Sequence, residues 1–339
     1  MKIQANYNLL DITKMIMAFM VIGIHVKMNS VCAATVPTIL EYIMGSAVSF
    51  FFITSGFLLQ SKIIRKNNSS RTVLKGTFIR ILRLYIIWIL LYLPISIIYY
   101  TTNDQDYKHD ILEYLRGVFF IGETAYACTL WYLLALAVSL LFIYLLYRLK
   151  LSLSQIWVIS ILLMIIGYFI KIHSDSDIPM LRNIAKINSF LFSSNLNRNG
   201  LYYGFAHVST GMMIRAYFSQ IRNGFIAGFL CLLLSYIMFI YNIPFYYLLA
   251  GCGFFLISTS YNPKSKDIYH RIRIDSMFVF LIHMYIIYIM ISIFPPNMYK
   301  DANYYVIWII IFIISLFISE MAIYARNKPR FKWINYLIE

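Results

Sequence analysis

The residues able to do chemistry are few, and most lie within apolar stretches. The first group is in DITKMIMAFMVIGIH, which holds Asp11, Lys14 and His25. Lys14 and His25 are eleven positions apart, about 20° past three full helical turns, so both project from one face with roughly 16 Å of rise between them. Asp11, one turn before Lys14, can pair with it. Ionisable groups at membrane depth are costly and usually mark a function. The competing reading is a snorkelling lysine and a histidine satisfied inside a bundle. The second group is FIRILRLY, where Arg80 and Arg83 stand one turn apart behind Lys75. Such a pair can grip a phosphate bidentately, or simply anchor a helix end. The third is SFFFITSGFLL, in which Ser55 and Gly56 suit close helix packing better than nucleophilic attack, since no GxSxG elbow accompanies them.

Further candidates are Trp131 and Tyr132 in LWYLLAL, Arg198 and Asn199 in SNLNRNGLYYGF, His207, and His283 in MFVFLIHMY. Trp131 and Tyr132 read first as an interfacial aromatic belt. His283 falls mid-span and costs free energy unless it is bonded. No metal-ligand pattern is present: CxxC, HExxH and clustered carboxylates are all missing from the sequence. Cys32 and Cys128 both fall near the outer face and could form a disulfide, whereas Cys231 and Cys252 read as core residues.

Only a membrane bundle can position these groups. Of 339 residues, 61% are hydrophobic and 13% charged, with a mean hydropathy of +0.71. That leaves no polar surface for a water-soluble domain, and continuous apolar runs exclude an alternating membrane β-barrel. The expected fold is all-α, a polytopic membrane helical bundle of about ten transmembrane helices, since helices satisfy their own backbone groups in lipid. The candidate spans are about 9–31, 40–61, 80–101, 128–147, 153–171, 200–217, 224–241, 244–260, 275–294 and 303–325, the sixth being the weakest because His207 and small polar neighbours interrupt it. With both termini cytoplasmic, 21 of the 29 Lys and Arg residues fall in inside segments, as short-loop charge asymmetry requires. That arrangement also explains the net charge of +15 without nucleic acid. Segments 102–127 and 172–199 are long enough to fold over the outer face, with Leu112–Gly122 as an interfacial helix. A single domain is expected over 1–339, ending in a short basic cytoplasmic tail at 326–339.

In order along the chain, the Lys14/His25 spacing, FFFITSGFLL, Arg80/Arg83, LWYL and the LIH of the ninth span resemble the acyltransferase 3 family of membrane acyltransferases. The resemblance implies a ten-helix bundle that moves an acyl group, usually acetyl, from cytoplasmic acyl-CoA to a hydroxyl of a cell-envelope glycan, glycolipid or similar acceptor. Carried over, His25 is the essential base, with Lys14 and Asp11 beside it in the catalytic group. Arg80, Arg83 and Lys75 hold or gather the phosphates of acetyl-CoA, which serves as donor substrate, with no bound cofactor and no metal. Ser55, Trp131, Tyr132, Arg198, Asn199, His207 and His283 line the channel or the acceptor site. Four features depart from the family pattern: Thr129 stands where a histidine is common, Lys14 where arginine is, His207 where an apolar residue is, and the arginine pair lacks a proline and a third arginine.

RNGLYYGF followed by GMMIR is similar to the membrane domain of vancomycin-resistance serine racemases. With only a short tail after the last span, racemase chemistry is not expected. The competing class is therefore a non-catalytic permease or anchor for serine or another small solute, working with a separate enzyme. The expected location is the plasma membrane of a bacterium, multi-pass, with the lipid bilayer, acyl-CoA and the acceptor as partners. A homodimer is left open.

Overall fold

The computed structural model describes residues 7–28, 36–66, 70–102, 107–174, 177–192, 199–264, 266–294 and 303–338. Among them the regular structure is entirely helical. In chain order the helices are α1 (Asn8–Met28), α2 (Thr38–Lys66), α3 (Ser70–Thr102), α4 (Tyr107–Arg116), α5 (Trp131–Arg148), α6 (Leu153–Ile172), α7 (Pro179–Phe192), α8 (Phe205–Ala216), α9 (Gly224–Ile240), α10 (Tyr246–Ser260), α11 (Asp267–Ile293) and α12 (Tyr304–Arg326). Seven of these, α1, α2, α3, α5, α6, α11 and α12, are long and apolar enough to cross a membrane. Their outward stripes are apolar: Ile79, Ile86, Leu90 and Ile97 on α3, and Ile309, Ile313 and Phe317 on α12, are all exposed. Surface of that extent and spacing is soluble only in lipid, and the molecule is a membrane protein.

The three remaining expected spans are helical but shorter. α9 has 17 residues and α10 has 15, and the turn between them uses positive φ at Asn242 and Phe245. The sixth is divided: a five-residue π turn, Gly200–Gly204, leads into the twelve residues of α8. A span ordinarily needs about 20 residues.

The described chain forms two compact units, residues 1–51 with 218–339, and residues 52–217. In the first, α1 lies against α11 and α12. Trp308 of α12 fills the space that Gly23 leaves open; a Cβ there would come within 2.7 Å of the indole. The indole N–H donates to the Phe19 carbonyl at 2.7 Å, its ring stacks on Phe19 at 4.4 Å, and the Tyr304 hydroxyl donates to the Gly23 carbonyl at 2.7 Å.

In the second unit, helices touch backbone to backbone. A Cβ at Gly56 of α2 would overlap the Val208 carbonyl oxygen, and one at Gly211 of α8 would overlap that of Ile53. This is the close small-residue packing expected of SGFLL. Gly200 and Gly204, one turn apart, settle in the same way onto Ala135 and Ser139 of α5, and the Ser139 hydroxyl donates to the Gly200 carbonyl at 2.9 Å. Both expected surface segments contain a helix: Arg116 at the end of α4 donates to the carbonyls of Phe190 (2.9 Å) and Ser189 (3.0 Å) of α7. The π turn Gly117–Ile121 after α4 closes at Gly122, whose φ of 81° and contact with the Trp131 backbone admit only glycine.

Candidate functional site

The first unit gathers Asp11, Lys14, His25 and His283. Asp11 is 1% exposed, and such a buried carboxylate needs full compensation. It receives Lys14 Nζ at 3.1 Å and, bidentately, Arg273 of α11, whose Nη2 approaches to 2.7 Å and Nε to 3.1 Å. The Lys14 ammonium therefore sits on Asp11, and this cluster ties α1 to α11. About three turns further along α1, His25 is buried, with its ring centre 5.3 Å from that of His283. His283 is fully buried, and its Nδ1 lies 3.2 Å from the Val279 carbonyl. A carbonyl can only accept, so Nδ1 carries the proton and Nε2 presents a lone pair. That Nε2 has no hydrogen-bond partner among the described residues.

The second unit gathers aromatic and hydroxyl groups around Phe52. Tyr132 lies 4.6 Å from its ring, Tyr203 5.9 Å, Trp131 6.0 Å and His207 6.4 Å. The Tyr132 and Ser55 hydroxyls share a hydrogen bond of 3.0 Å. The His207 ring lies 4.0 Å from that of Tyr203, tilted by 33°. Like His283, it gives its Nδ1–H to the carbonyl four residues back, Tyr203 at 2.7 Å, and its Nε2 has no partner among the described residues. Asn199 caps the π turn that aims these groups, accepting from the backbone N–H of Tyr202 at 2.6 Å and of Tyr203 at 3.4 Å. Arg80, Arg83 and Lys75 are exposed along the first turns of α3. Arg198 and Cys32 lie outside the described residues.

Two arginines were hidden from the sequence, where each counted only as inside charge. Arg273 is the second cation on Asp11. Arg215, at the end of α8, is buried, donating Nε–H to Ser61 Oγ at 2.8 Å with its guanidinium 5.8 Å from the Phe57 ring centre. Among the described residues it forms no ion pair with a carboxylate. The only earlier signal was position: each arginine lies within one helical turn of an apolar run. On α4, His109, Asp110 and Glu113 bring ligating atoms within 4.8 Å of one another, a grouping that exposed acidic helices often show without an ion.

A family model described as "Acyltransferase domain" matches residues 7–323. No curated protein and no solved structure matches the chain, so the likeness to serine racemase membrane domains has no matching relative.

Proposed function

The chain belongs to the acyltransferase 3 family, and from that premise we propose that it is a plasma-membrane O-acyltransferase. It would move an acyl group, acetyl in the simplest case, from cytoplasmic acyl-CoA to a hydroxyl of a cell-envelope glycan or similar acceptor. The observation that carries this reading is the family match along nearly the whole chain. The ten expected helical segments, counting α8 with its π turn, α9 and α10 as short spans, fit a bundle with both ends inside.

In this reading neutral His25 is the base that takes the acceptor hydroxyl's proton. Arg80 and Arg83, exposed on one face of α3, hold donor phosphates, and Lys75 adds to the attracting field. Arg215 joins them as a third anion-binding group, because a buried guanidinium without a carboxylate is completed by an anionic ligand. Asp11, Lys14 and Arg273 fix the start of α1, so Lys14 acts through Asp11 and the helix. Ser55, Trp131, Tyr132, Asn199 and His207 shape the channel.

Thiol release from acetyl-CoA by the purified protein in detergent, beside His25→Ala, tests the reading. The expected result is turnover that falls about a thousandfold in the variant while membrane insertion is unchanged. A well-folded wild type that neither binds nor cleaves acetyl-CoA would favour the solute-handling class, and serine uptake would then be measured.

A further inference from the structure

At one end of the first unit, where α11 begins and α12 finishes, both helices pass from apolar into basic sequence. Arg271 of α11 is matched there by Glu320 of α12, its Nε donating to the carboxylate oxygens at 2.8 Å. Beside this pair a cavity of about 290 Å³ opens between the two helices. Ile274 and Ile323 give it apolar walls, and the Tyr324 ring, His270 and Arg326 line the rest, with Asp267 the one carboxylate among the lining residues. Arg326 is half-buried and forms no ion pair with a carboxylate among the described residues. Past it the chain folds back through a 3-10 turn, Pro329–Ile334, and a short helix, Asn335–Ile338, which bury Ile334 and Leu337. That return leaves Phe331 and Trp333 exposed beside the exposed Arg330 and Lys332, and sets Lys328 Nζ 5.1 Å from the Tyr324 ring centre. On α12, Ile313, Phe317, Met321 and Tyr324 are all exposed. Their spacing of four, four and three residues makes one apolar stripe that runs along the helix to the cavity.

We propose that this cavity binds an anionic phospholipid of the surrounding bilayer. The headgroup phosphate sits on Arg326, whose planar fork can donate two parallel N–H bonds to it, and His270 offers a ring N–H from the facing helix. The acyl chains follow Ile323 and the exposed stripe of α12. Two features select this ligand. The apolar walls and the stripe that continues them suit a phosphate carrying hydrocarbon, whereas a water-soluble anion would leave that surface uncovered. The charge around the mouth disfavours a zwitterionic headgroup. With Arg271 answered by Glu320, Asp267 faces Arg326, and Lys328, Arg330 and Lys332 follow close by. A headgroup ammonium would meet one carboxylate and several cations. Basic pockets between helices, next to aromatic side chains at headgroup depth, have this chemistry at the cytoplasmic leaflet, the side on which this end is expected. The bound lipid joins α11 to α12 and stabilises the first unit by mass action. Such a site needs only the bilayer and is independent of acyl transfer.

The experiment is thermal unfolding of the full chain in a neutral detergent, titrated with phosphatidylglycerol or with phosphatidylcholine of the same acyl chains. Phosphatidylglycerol is expected to raise the unfolding temperature of the wild type in a saturable way, and phosphatidylcholine is not. The lipid concentration giving half the shift is expected to rise about tenfold in Arg326→Gln and about threefold in Lys328→Gln. Arg222→Gln, an exposed change of equal charge between α8 and α9, is expected to titrate as the wild type does. Inorganic phosphate or acetyl-CoA in excess is expected to leave the titration unchanged. If Arg326→Gln does not fold, Lys328→Gln, at an exposed side chain, decides alone. Equal shifts with the two lipids, or a loss in Arg222→Gln as large as in the cavity variants, overturns the inference. Competition by inorganic phosphate would make the cavity a site for soluble anions, and competition by acetyl-CoA would give it to the donor; either overturns the assignment to lipid.

Discussion

The two units bury polar groups in opposite ways. In the first, the buried carboxylate of Asp11 is matched by Lys14 and Arg273, and the buried Asp275 accepts the Ser319 hydroxyl at 2.6 Å. Among the described residues its demands are met from within, except at His283. In the second, among the described residues, Arg215 is buried without a carboxylate, and Thr54, Gln60, Thr129, Asn188 and His207 each hold a buried polar atom with no partner. Such atoms are few in folded proteins because each costs about 1–3 kcal/mol. A unit that keeps five of them, with one cation unmatched among the described residues, suits the polar, anionic donor of the proposed function. The first unit, by contrast, ties α1 to α11 through a matched charge cluster. In the proposed function, donor binding falls to residues 52–217 and the base to α1, which the Asp11 cluster holds against α11.

The largest effect should come from breaking what the first unit has completed. Asp11→Ala leaves Lys14 and Arg273 facing each other without a counter-charge. A fully buried pair so broken loses 3–5 kcal/mol; because Arg273 keeps 42% of its side-chain surface in solvent, about 2–3 kcal/mol is expected here. Thermal unfolding in detergent reads it, and adding Lys14→Met and Arg273→Met should restore most of the loss. An Asp11→Ala variant as stable as the wild type would show that the cluster is decorative.

Removing the unmatched charge of the second unit should do the reverse. Arg215→Met is expected to leave the unfolding temperature unchanged or raise it, since a buried charge becomes a hydrophobe of similar length. At the same time KM for acetyl-CoA should rise about 10–100-fold, the equivalent of one or two charge-assisted hydrogen bonds. Loss of stability on the scale of Asp11→Ala, with KM unmoved, would erase the distinction between the units.

The sequence made the helices legible, and with them the charge asymmetry, the Asp11–Lys14 pair and the tight packing at Gly56. These follow from local rules: helical periodicity, the one-turn spacing of two opposite charges, and a small residue among large ones. What stayed hidden depends on which helices are neighbours. Arg273 reaches Asp11 across 262 positions, and no periodicity in either helix names the other. Arg215 was counted among cytoplasmic charges because it ends an apolar run. Its side chain instead folds back onto Ser61 and Phe57, which the length of an arginine allows and its position does not announce. The adjacency of His25 and His283 is of the same kind: each was visible as a costly buried imidazole, and only the packing of α1 on α11 joins them. His207 stands out in the sequence as a candidate, but its facing does not, since the π turn at Gly200–Gly204 shifts the facing of every later residue in its segment relative to a regular helix.

A smaller effect should follow from uncapping that turn. Asn199→Ala removes the acceptor for two backbone N–H groups and should cost about 1 kcal/mol. Because the turn aims Tyr203 and His207 at Phe52, a rise in KM should accompany the lost stability, whereas Asn199→Asp, which keeps the acceptor, should show neither change. Equal behaviour of the two variants would mean that the turn is held by its glycines alone.

The smallest change separates two roles for Ser55. Its hydroxyl bonds the Tyr132 phenol at 3.0 Å, so Ser55→Ala leaves a half-buried hydroxyl short of one partner and Tyr132→Phe leaves the serine in the same position. Each single change should cost about 1 kcal/mol or slightly less, and the double variant no more than either, because both remove one bond. Thiol release should stay within about threefold of wild type in all three, since the pair braces α2 against α5 and shapes the channel without touching the reacting atoms. A fall of a hundredfold in Ser55→Ala alone, with Tyr132→Phe unaffected, would move Ser55 from bracing into the chemistry. It would also make the second unit a contributor to acyl transfer itself, beyond holding the donor.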